Sequence, residues 1–260
     1  MKILVTKLIA VIGLASFLLS YAPNLNAQEL NPNQSMGYVI KDGKQGKEGV
    51  IQLANSSSPW KNQRKVKFIK KKVWEKGDKI KKKDREEIKV KNADGYMAGG
   101  RVFEKVKYAP KEGLMKSMSG NKSKLTNAST ALSSMTKNSH FLEMVLDGKI
   151  KVYRFYNYPP DVAASVGSDQ IADTDAMFED LRTNYQILVK KGKKGKAKNV
   201  KSADLSKLLK DCPEVYEKYK ANEFSLKSKG LKKLIKTVVP GNTVEEQVVE
   251  LMSAYNDCKK

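Results

Sequence analysis

The stretch Phe141-Leu142-Glu143-Met144-Val145-Leu146-Asp147-Gly148-Lys149-Ile150-Lys151-Val152-Tyr153-Arg154-Phe155-Tyr156 decides the fold class. Two apolar runs flank Asp147-Gly148, a dipeptide that supplies the positive φ angles of a tight hairpin turn. In the second run Ile150, Val152 and Arg154 fall on one face, and Tyr153 and Phe155 on the other. Period-two patterning on both sides of a turn dipeptide is the signature of antiparallel β-structure.

The same signature extends upstream. Arg101 to Tyr108 reads as a strand after the turn Gly99-Gly100, with shorter strands at Gly95 to Ala98 and Glu87 to Lys91. Lys65-Val66-Lys67-Phe68-Ile69 alternates as a half-buried strand does. Gly37 to Ile40 and Val50 to Leu53 form a hairpin around a turn-rich segment, Lys41 to Gly49, that contains Asp42-Gly43. Between the two blocks, residues 113–138 are rich in Ser, Lys, Asn and Gly and read as a long loop.

Downstream, Pro159-Pro160 ends the strand pattern, and residues 176–183 suit a short helical turn. Tyr185 to Lys190 is a further strand, with a turn at Gly192 to Gly195 and a return at Lys196 to Val200. From Ser202 the period changes to that of a helix. Leu205, Leu208, Leu209 and Cys212 form one stripe, and Pro213 starts a second helix with Val215, Tyr216 and Tyr219 inward. Leu231, Leu234 and Ile235 suggest a third helix. A last one carries Val244, Val248, Leu251, Tyr255 and Cys258, with Thr243 and Glu246 as a capping-box pair. The expected fold class is α+β: an antiparallel β-rich region over 28–200, then a small helical segment over 201–260.

The first 27 residues stand apart. Lys2 and Lys7 precede the uncharged apolar run Leu8 to Ala22, and Leu25-Asn26-Ala27 offers a small-residue cleavage site. That is the pattern of a secretory signal peptide, cut after Ala27. No Cys near the cut offers a lipid anchor, and no later stretch is apolar enough to span a membrane. Export to an oxidising compartment makes Cys212 and Cys258 a disulfide pair. Both continue the apolar stripe of a helix, which would place the bridge in the core.

The formal net charge is +22, about +20 once the signal leaves. Such an imbalance favours anionic partners. Yet only five of the cations are arginine (Arg64, Arg85, Arg101, Arg154 and Arg182) against 45 lysines. Arginine is the residue of forked phosphate and base recognition, so nucleic acid is not the expected target. Two basic segments, Lys61 to Lys91 and Lys190 to Lys201, supply candidate contacts to an anion or glycan. These are Trp60 and Trp74 by stacking, and Lys190, Lys191, Lys193 and Lys194 by charge. The competing reading packs both tryptophans in the core.

No G-x-S-x-G, P-loop or H-E-x-x-H pattern occurs. His140, the lone histidine, reads as a surface or strand-edge residue. Asp169, Asp173, Asp175, Glu179 and Asp180 read as a solvated acidic loop, since their spacing does not meet the EF-hand pattern. No cofactor or metal is expected.

Several segments together carry a family likeness. They are Gly37-Tyr38-Val39-Ile40, Gly99-Gly100-Arg101-Val102-Phe103, Tyr153-Arg154-Phe155-Tyr156, Leu208-Leu209-Lys210-Asp211-Cys212-Pro213 and Tyr255-Asn256-Asp257-Cys258. The set resembles an uncharacterised family of exported proteins of the Bacteroidota (Bacteroidetes) lineage. The resemblance implies export, paired cysteines and an envelope location, and brings no activity or catalytic residue with it. The expected function is a soluble exported envelope protein, periplasmic or extracellular, acting as a non-enzymatic binding or interaction module. Its partner would be an envelope protein or an anionic surface polymer. The alternatives are an envelope glycan hydrolase working through carboxylates, and an accessory subunit of an outer-membrane complex.

Overall fold

A computed structural model describes residues 29–77, 79–109, 139–159, 178–226 and 241–259. The signal segment, the loop over 113–138, Asp169 to Asp175 and the helix expected at Leu231 to Ile235 lie outside the described residues.

The fold is α+β and mostly β. The described residues form a ten-stranded antiparallel sheet in the order β10-β9-β8-β7-β6-β5-β1-β2-β3-β4. The strands are β1 (Gln34–Lys41), β2 (Lys44–Gln52), β3 (Lys65–Lys70), β4 (Arg85–Lys89), β5 (Gly95–Ala98), β6 (Arg101–Lys107), β7 (Ser139–Leu146), β8 (Ile150–Phe155), β9 (Gln186–Lys191) and β10 (Lys198–Asn199). Two meanders, β1 to β4 and β5 to β10, join where β1 pairs with β5. The connection over residues 90–94 returns the chain from β4 to β5 and buries Ala93 on the way.

Turn chemistry sets the register. Asp42 and Gly43 both have positive φ, so the first hairpin closes in two residues with Lys41 opposite Lys44. The turn is therefore tighter than the Lys41 to Gly49 segment read from sequence. The first five residues of β2 are exposed, and so carry no apolar alternation to reveal the strand. At Asp147-Gly148 only Gly148 has positive φ, and a bulge between Met144 and Leu146 shifts the register. The side chain of Asn256 fills this hairpin end. The Ile150 N–H donates to Asn256 Oδ1 (2.9 Å), and Asn256 Nδ2 donates to the Ile150 carbonyl (3.0 Å). A Cβ on Gly148 would stand 2.2 Å from Asn256 Nδ2, so glycine is required there on two counts.

β8 uses both faces, as its alternation implies. Ile150 and Val152 pack with Ile187 and Val189 of β9 against the C-terminal helices. Tyr153 and Phe155 pack on the opposite face with Leu142, Leu188, Trp60 and Tyr158. β3 departs from alternation, because Phe68 and Ile69 are both buried. Phe68 joins Ile51 and Tyr96 in one cluster, whereas Ile69 and Val50 are covered from the other side by Trp74, on the short helix α1 (Lys71–Trp74).

The C-terminal helices are α2 (Leu205–Leu209), α3 (Pro213–Ala221) and α4 (Gly241–Cys258). The Asp204 side chain caps α2 by accepting from the Lys207 N–H (3.0 Å), Pro213 opens α3, and left-handed Asn222 closes it. Val244, Val248, Leu251 and Tyr255 of α4 are buried as their stripe requires. Thr243 lies inside α4, which is already helical at Gly241, and so is not its cap.

Cys212 and Cys258 form a disulfide with 6.4 Å between their Cα atoms. Cys212 is fully buried and Cys258 is exposed, so the bridge sits at the rim of the core rather than within it. Around it the Tyr255 hydroxyl donates to Asp211 (2.9 Å), and Lys191 donates to the same carboxylate (2.8 Å). Asp211-Cys212-Pro213 and Tyr255-Asn256-Asp257-Cys258 thus form one clasp between α3, α4 and the β7–β8 hairpin. Among the described residues no helix is long and apolar enough to cross a membrane.

Candidate functional site

Buried amides organise the segment between β2 and β3. Asn62, on the 3₁₀ turn Pro59–Gln63, accepts the Ala54 N–H through Oδ1 (2.6 Å), while its carbonyl accepts the Tyr96 hydroxyl (3.3 Å). Gln63 pairs with the Tyr156 backbone like a short piece of strand: its Nε2 donates to the carbonyl (2.8 Å) and its Oε1 accepts the N–H (2.7 Å). Both side chains are buried, and Gln63 uses both ends of its amide, so the segment is pinned to the end of β8.

A cleft of about 570 Å³ opens beside this segment. Asn33, Asn55, Ser56 and Asn62 line it with amides and a hydroxyl, and Arg101, Tyr156 and Arg182 supply the rest of its polar wall. Among the described residues no carboxylate is in that lining. Burial pushes the Tyr156 phenol upward, so it stays a neutral hydroxyl.

Arg101 is held from behind. Register places Arg101, Glu143 and Arg154 on the same face of β6, β7 and β8. Glu143 accepts from Arg101 Nε (2.8 Å) and Nη2 (2.6 Å), and from Arg154 Nη1 (3.1 Å). Arg154 in turn donates through Nε (2.6 Å) and Nη2 (2.5 Å) to Glu245 of α4. The row Arg101–Glu143–Arg154–Glu245 therefore ties the cleft to the C-terminal helix. Burial pushes the Glu143 carboxyl up, but the hydrogen bonds and charges of Arg101 and Arg154 outweigh it and hold the group below its usual range. The bidentate pair occupies one edge of the Arg101 guanidinium, and the residue also lines the cleft. Arg182 is paired with Glu179.

The sequence candidates fall elsewhere. Trp60 is 4% exposed and stacks on Phe178 at 5.7 Å, and Trp74 is 7% exposed under Val50 and Ile69. Neither offers a stacking face to solvent, which corrects their assignment as glycan contacts. Lys190 faces Glu104 at 3.7 Å. Lys191 donates to the Leu208 carbonyl (2.7 Å) and to Asp211, inside the clasp. Lys193 and Lys194 are exposed at the β9–β10 hairpin tip and are not among the residues that line the cleft.

His140 is also corrected: it is 1% exposed, not a surface or edge residue. Its Nε2 lies 3.1 Å from the Tyr108 carbonyl, which can only accept, so Nε2 carries the proton and Nδ1 accepts the Tyr158 hydroxyl (2.9 Å). Burial, with the charge of Arg64 acting the same way, lowers its pKa from 6.5 to about 4. The unfolded chain then binds the extra proton first, so stability is complete above pH 6.5 and falls as pH drops toward 4. We expect a loss of about 3 kcal/mol across that window. Because the chain has one histidine, its imidazole NMR signals should show no titration above pH 5; a midpoint near 6.5 would contradict the buried neutral state.

Among the described residues no group of three His, Cys, Asp or Glu side chains is placed to hold a metal ion. Every described carboxyl with a displaced pKa (Glu87, Glu143, Asp211 and Glu214) is displaced downward. No family model, no curated protein and no solved structure matches the chain.

Proposed function

We propose that this chain is an exported envelope protein, of the Bacteroidota family it resembles, whose cleft binds an acidic surface glycan without cleaving it. The lining carries the proposal: two guanidinium groups beside asparagine amides, a serine and a neutral tyrosine, with no carboxylate among the described residues. Amides and hydroxyls suit the hydroxyl groups of a sugar, and arginine suits its carboxylate or sulfate. The salt-bridged row behind Arg101 preorganises the cation, so little side-chain entropy is lost on binding. Support for export comes from the charged and apolar pattern of residues 1–27 and from a disulfide, a bond that persists in oxidising compartments. A hydrolase would need a carboxylic acid kept protonated at neutral pH, and among the described residues the displaced carboxyls all run the other way.

Isothermal titration with hexagalacturonate, against neutral maltohexaose, tests this reading. The acidic hexamer should bind at physiological salt and the neutral one should not. Arg101→Gln should weaken binding tenfold or more, the size of a lost charge-assisted hydrogen bond of about 1.5–3 kcal/mol. Equal binding of both sugars would contradict the proposal, as would loss of binding on exchange of Lys193 and Lys194 but not of Arg101.

A further inference from the structure

Register draws an apolar band across one face of the sheet. Ile69, Val50 and Met36 are directly opposed on β3, β2 and β1. One step along the same face, Tyr38, Met97, Val102, Met144, Tyr153 and Leu188 are opposed in turn on β1, β5, β6, β7, β8 and β9. Both ends of the band are covered. Val50 and Ile69 are fully buried beneath Trp74, and Tyr153 and Leu188 are fully buried at the far end. The middle is open among the described residues: Met36 is 42% exposed, and Tyr38, Met97, Val102 and Met144 are half-buried. Methionine is unbranched and adaptable, and tyrosine carries a polar tip, which suits both to a soft, wet boundary.

The segment that covers one end is strongly basic. Lys71 to Asp84 holds seven lysines against three acids, and no arginine. Val73, Trp74 and Ile80 pack it onto Val50 and Ile69, so it lies on the face of the band. Its lysines are exposed, and only Lys71 is in an ion pair among the described residues. The strand carboxylates of this face are already matched: Glu48 by Lys71 at 3.6 Å, Glu87 by Lys65 and Lys89, and Glu104 by Lys151 at 2.9 Å. The surplus charge beside the open band is therefore positive. Lysine is depleted from protein–protein interfaces, whereas its hydrated point charge suits a layer of lipid phosphates. An apolar patch and a polybasic stretch are two signals that together hold a protein on an anionic bilayer.

We propose that this face docks on an anionic lipid bilayer, with the methionine band at the headgroup boundary and the lysines of Lys71 to Lys83 on lipid phosphates. Arg101 and Val102 are neighbours on β6 and so fall on opposite faces. With Val102 toward the lipid, the Arg101 side of the cleft is turned away from it. The proposal does not depend on what the cleft binds.

The test is co-sedimentation of the mature, disulfide-bonded chain with vesicles of phosphatidylcholine containing about 30% phosphatidylglycerol, against phosphatidylcholine alone. Methionine-methyl NMR with a nitroxide-labelled lipid follows it. The anionic vesicles should bind at least tenfold more tightly, and salt should weaken that binding. The Met36, Met97 and Met144 methyl signals should broaden on labelled vesicles, whereas Met252 of α4, fully buried, should stay sharp. Lys72→Gln, Lys76→Gln and Lys79→Gln combined should lower affinity at least tenfold. Met36→Gln should lower it about fivefold and leave the salt dependence unchanged. No binding, or equal binding to both vesicle types, overturns the proposal. So does binding in which every methionine methyl stays sharp, because charge alone then holds the chain. So does a loss from Lys193→Gln with Lys194→Gln as large as that of the triple exchange. A stable dimer without lipid, abolished by Met36→Asp, would assign the band to a second copy of the chain instead. The wild-type methyl signals decide even if a substitution unfolds the chain. Hexagalacturonate titrated onto the vesicle-bound chain reads the cleft separately, so either reading can fail without the other.

Discussion

Replacing Cys212 and Cys258 together with alanine is expected to cost about 4 kcal/mol of stability. The bridge closes an interval of 46 residues, and the cost of closing such a loop in the unfolded chain sets that magnitude. For a chain of this size the midpoint of thermal unfolding should fall by roughly 8–16 °C. Native packing loses little, because Cys258 is already exposed and Cys212 is replaced by another small apolar side chain. The other clasp contacts remain: Tyr255 and Lys191 on Asp211, and Asn256 in the hairpin end. The double variant should therefore stay folded at room temperature and unfold in one step, at lower temperature. Calorimetric scans of wild type, reduced wild type and the variant would measure this, and the last two should agree. A shift below about 1 kcal/mol would mean that the unfolded chain keeps the two ends together without the bond.

How much of this could be read in the chain depends on how local the signal is. The β7–β8 hairpin and the two faces of β8 were legible because alternation and turn residues act over a few positions. The tightness of the first hairpin was not, because the exposed residues Lys44 to Glu48 of β2 carry no apolar period. The consecutive burial of Phe68 and Ile69 was a faint sign that both faces of β3 are covered, and Trp74 is what covers the second one. His140 read as an edge residue because it opens a strand; Tyr158 and Tyr108, which enclose it, come from other parts of the chain. The cleft draws on residues from Asn33 to Arg182, each ordinary on its own. Its one trace in composition is the scarcity of arginine. Of five arginines, Arg101 and Arg182 line the cleft, Arg154 stands behind it and Arg64 lies over the Tyr158 ring. Lysine serves the solvated surface, whereas these four sites use a planar, forked cation.

Glu143→Ala should produce the second large effect, on stability and on binding together. Glu143 is 8% exposed and is the shared acceptor of two arginines. Without it Arg101 and Arg154 become neighbouring like charges on one sheet face. Removing one partner of a buried pair costs about 3–5 kcal/mol, and the lower end applies here because Arg101 is 46% exposed and can turn to water. Urea unfolding should therefore report a loss of roughly 3 kcal/mol. The conservative Glu143→Gln keeps the shape but loses the charge, and should fall between the variant and wild type. The carboxyl is held below its usual range, so its contribution is present at neutral pH and is lost as pH falls through that lowered value. Acid should thus narrow the gap between wild type and Glu143→Ala. In the cleft, an unanchored Arg101 must be ordered again each time it meets an anion. Hexagalacturonate affinity should then drop about tenfold although Glu143 is not in the cleft lining. Glu245→Ala provides the contrast, since it touches Arg154 but not Arg101. It should destabilise the fold while changing affinity by less than Glu143→Ala does. Equal losses of affinity in both would show that the whole row, rather than the Arg101–Glu143 pair, positions the cation.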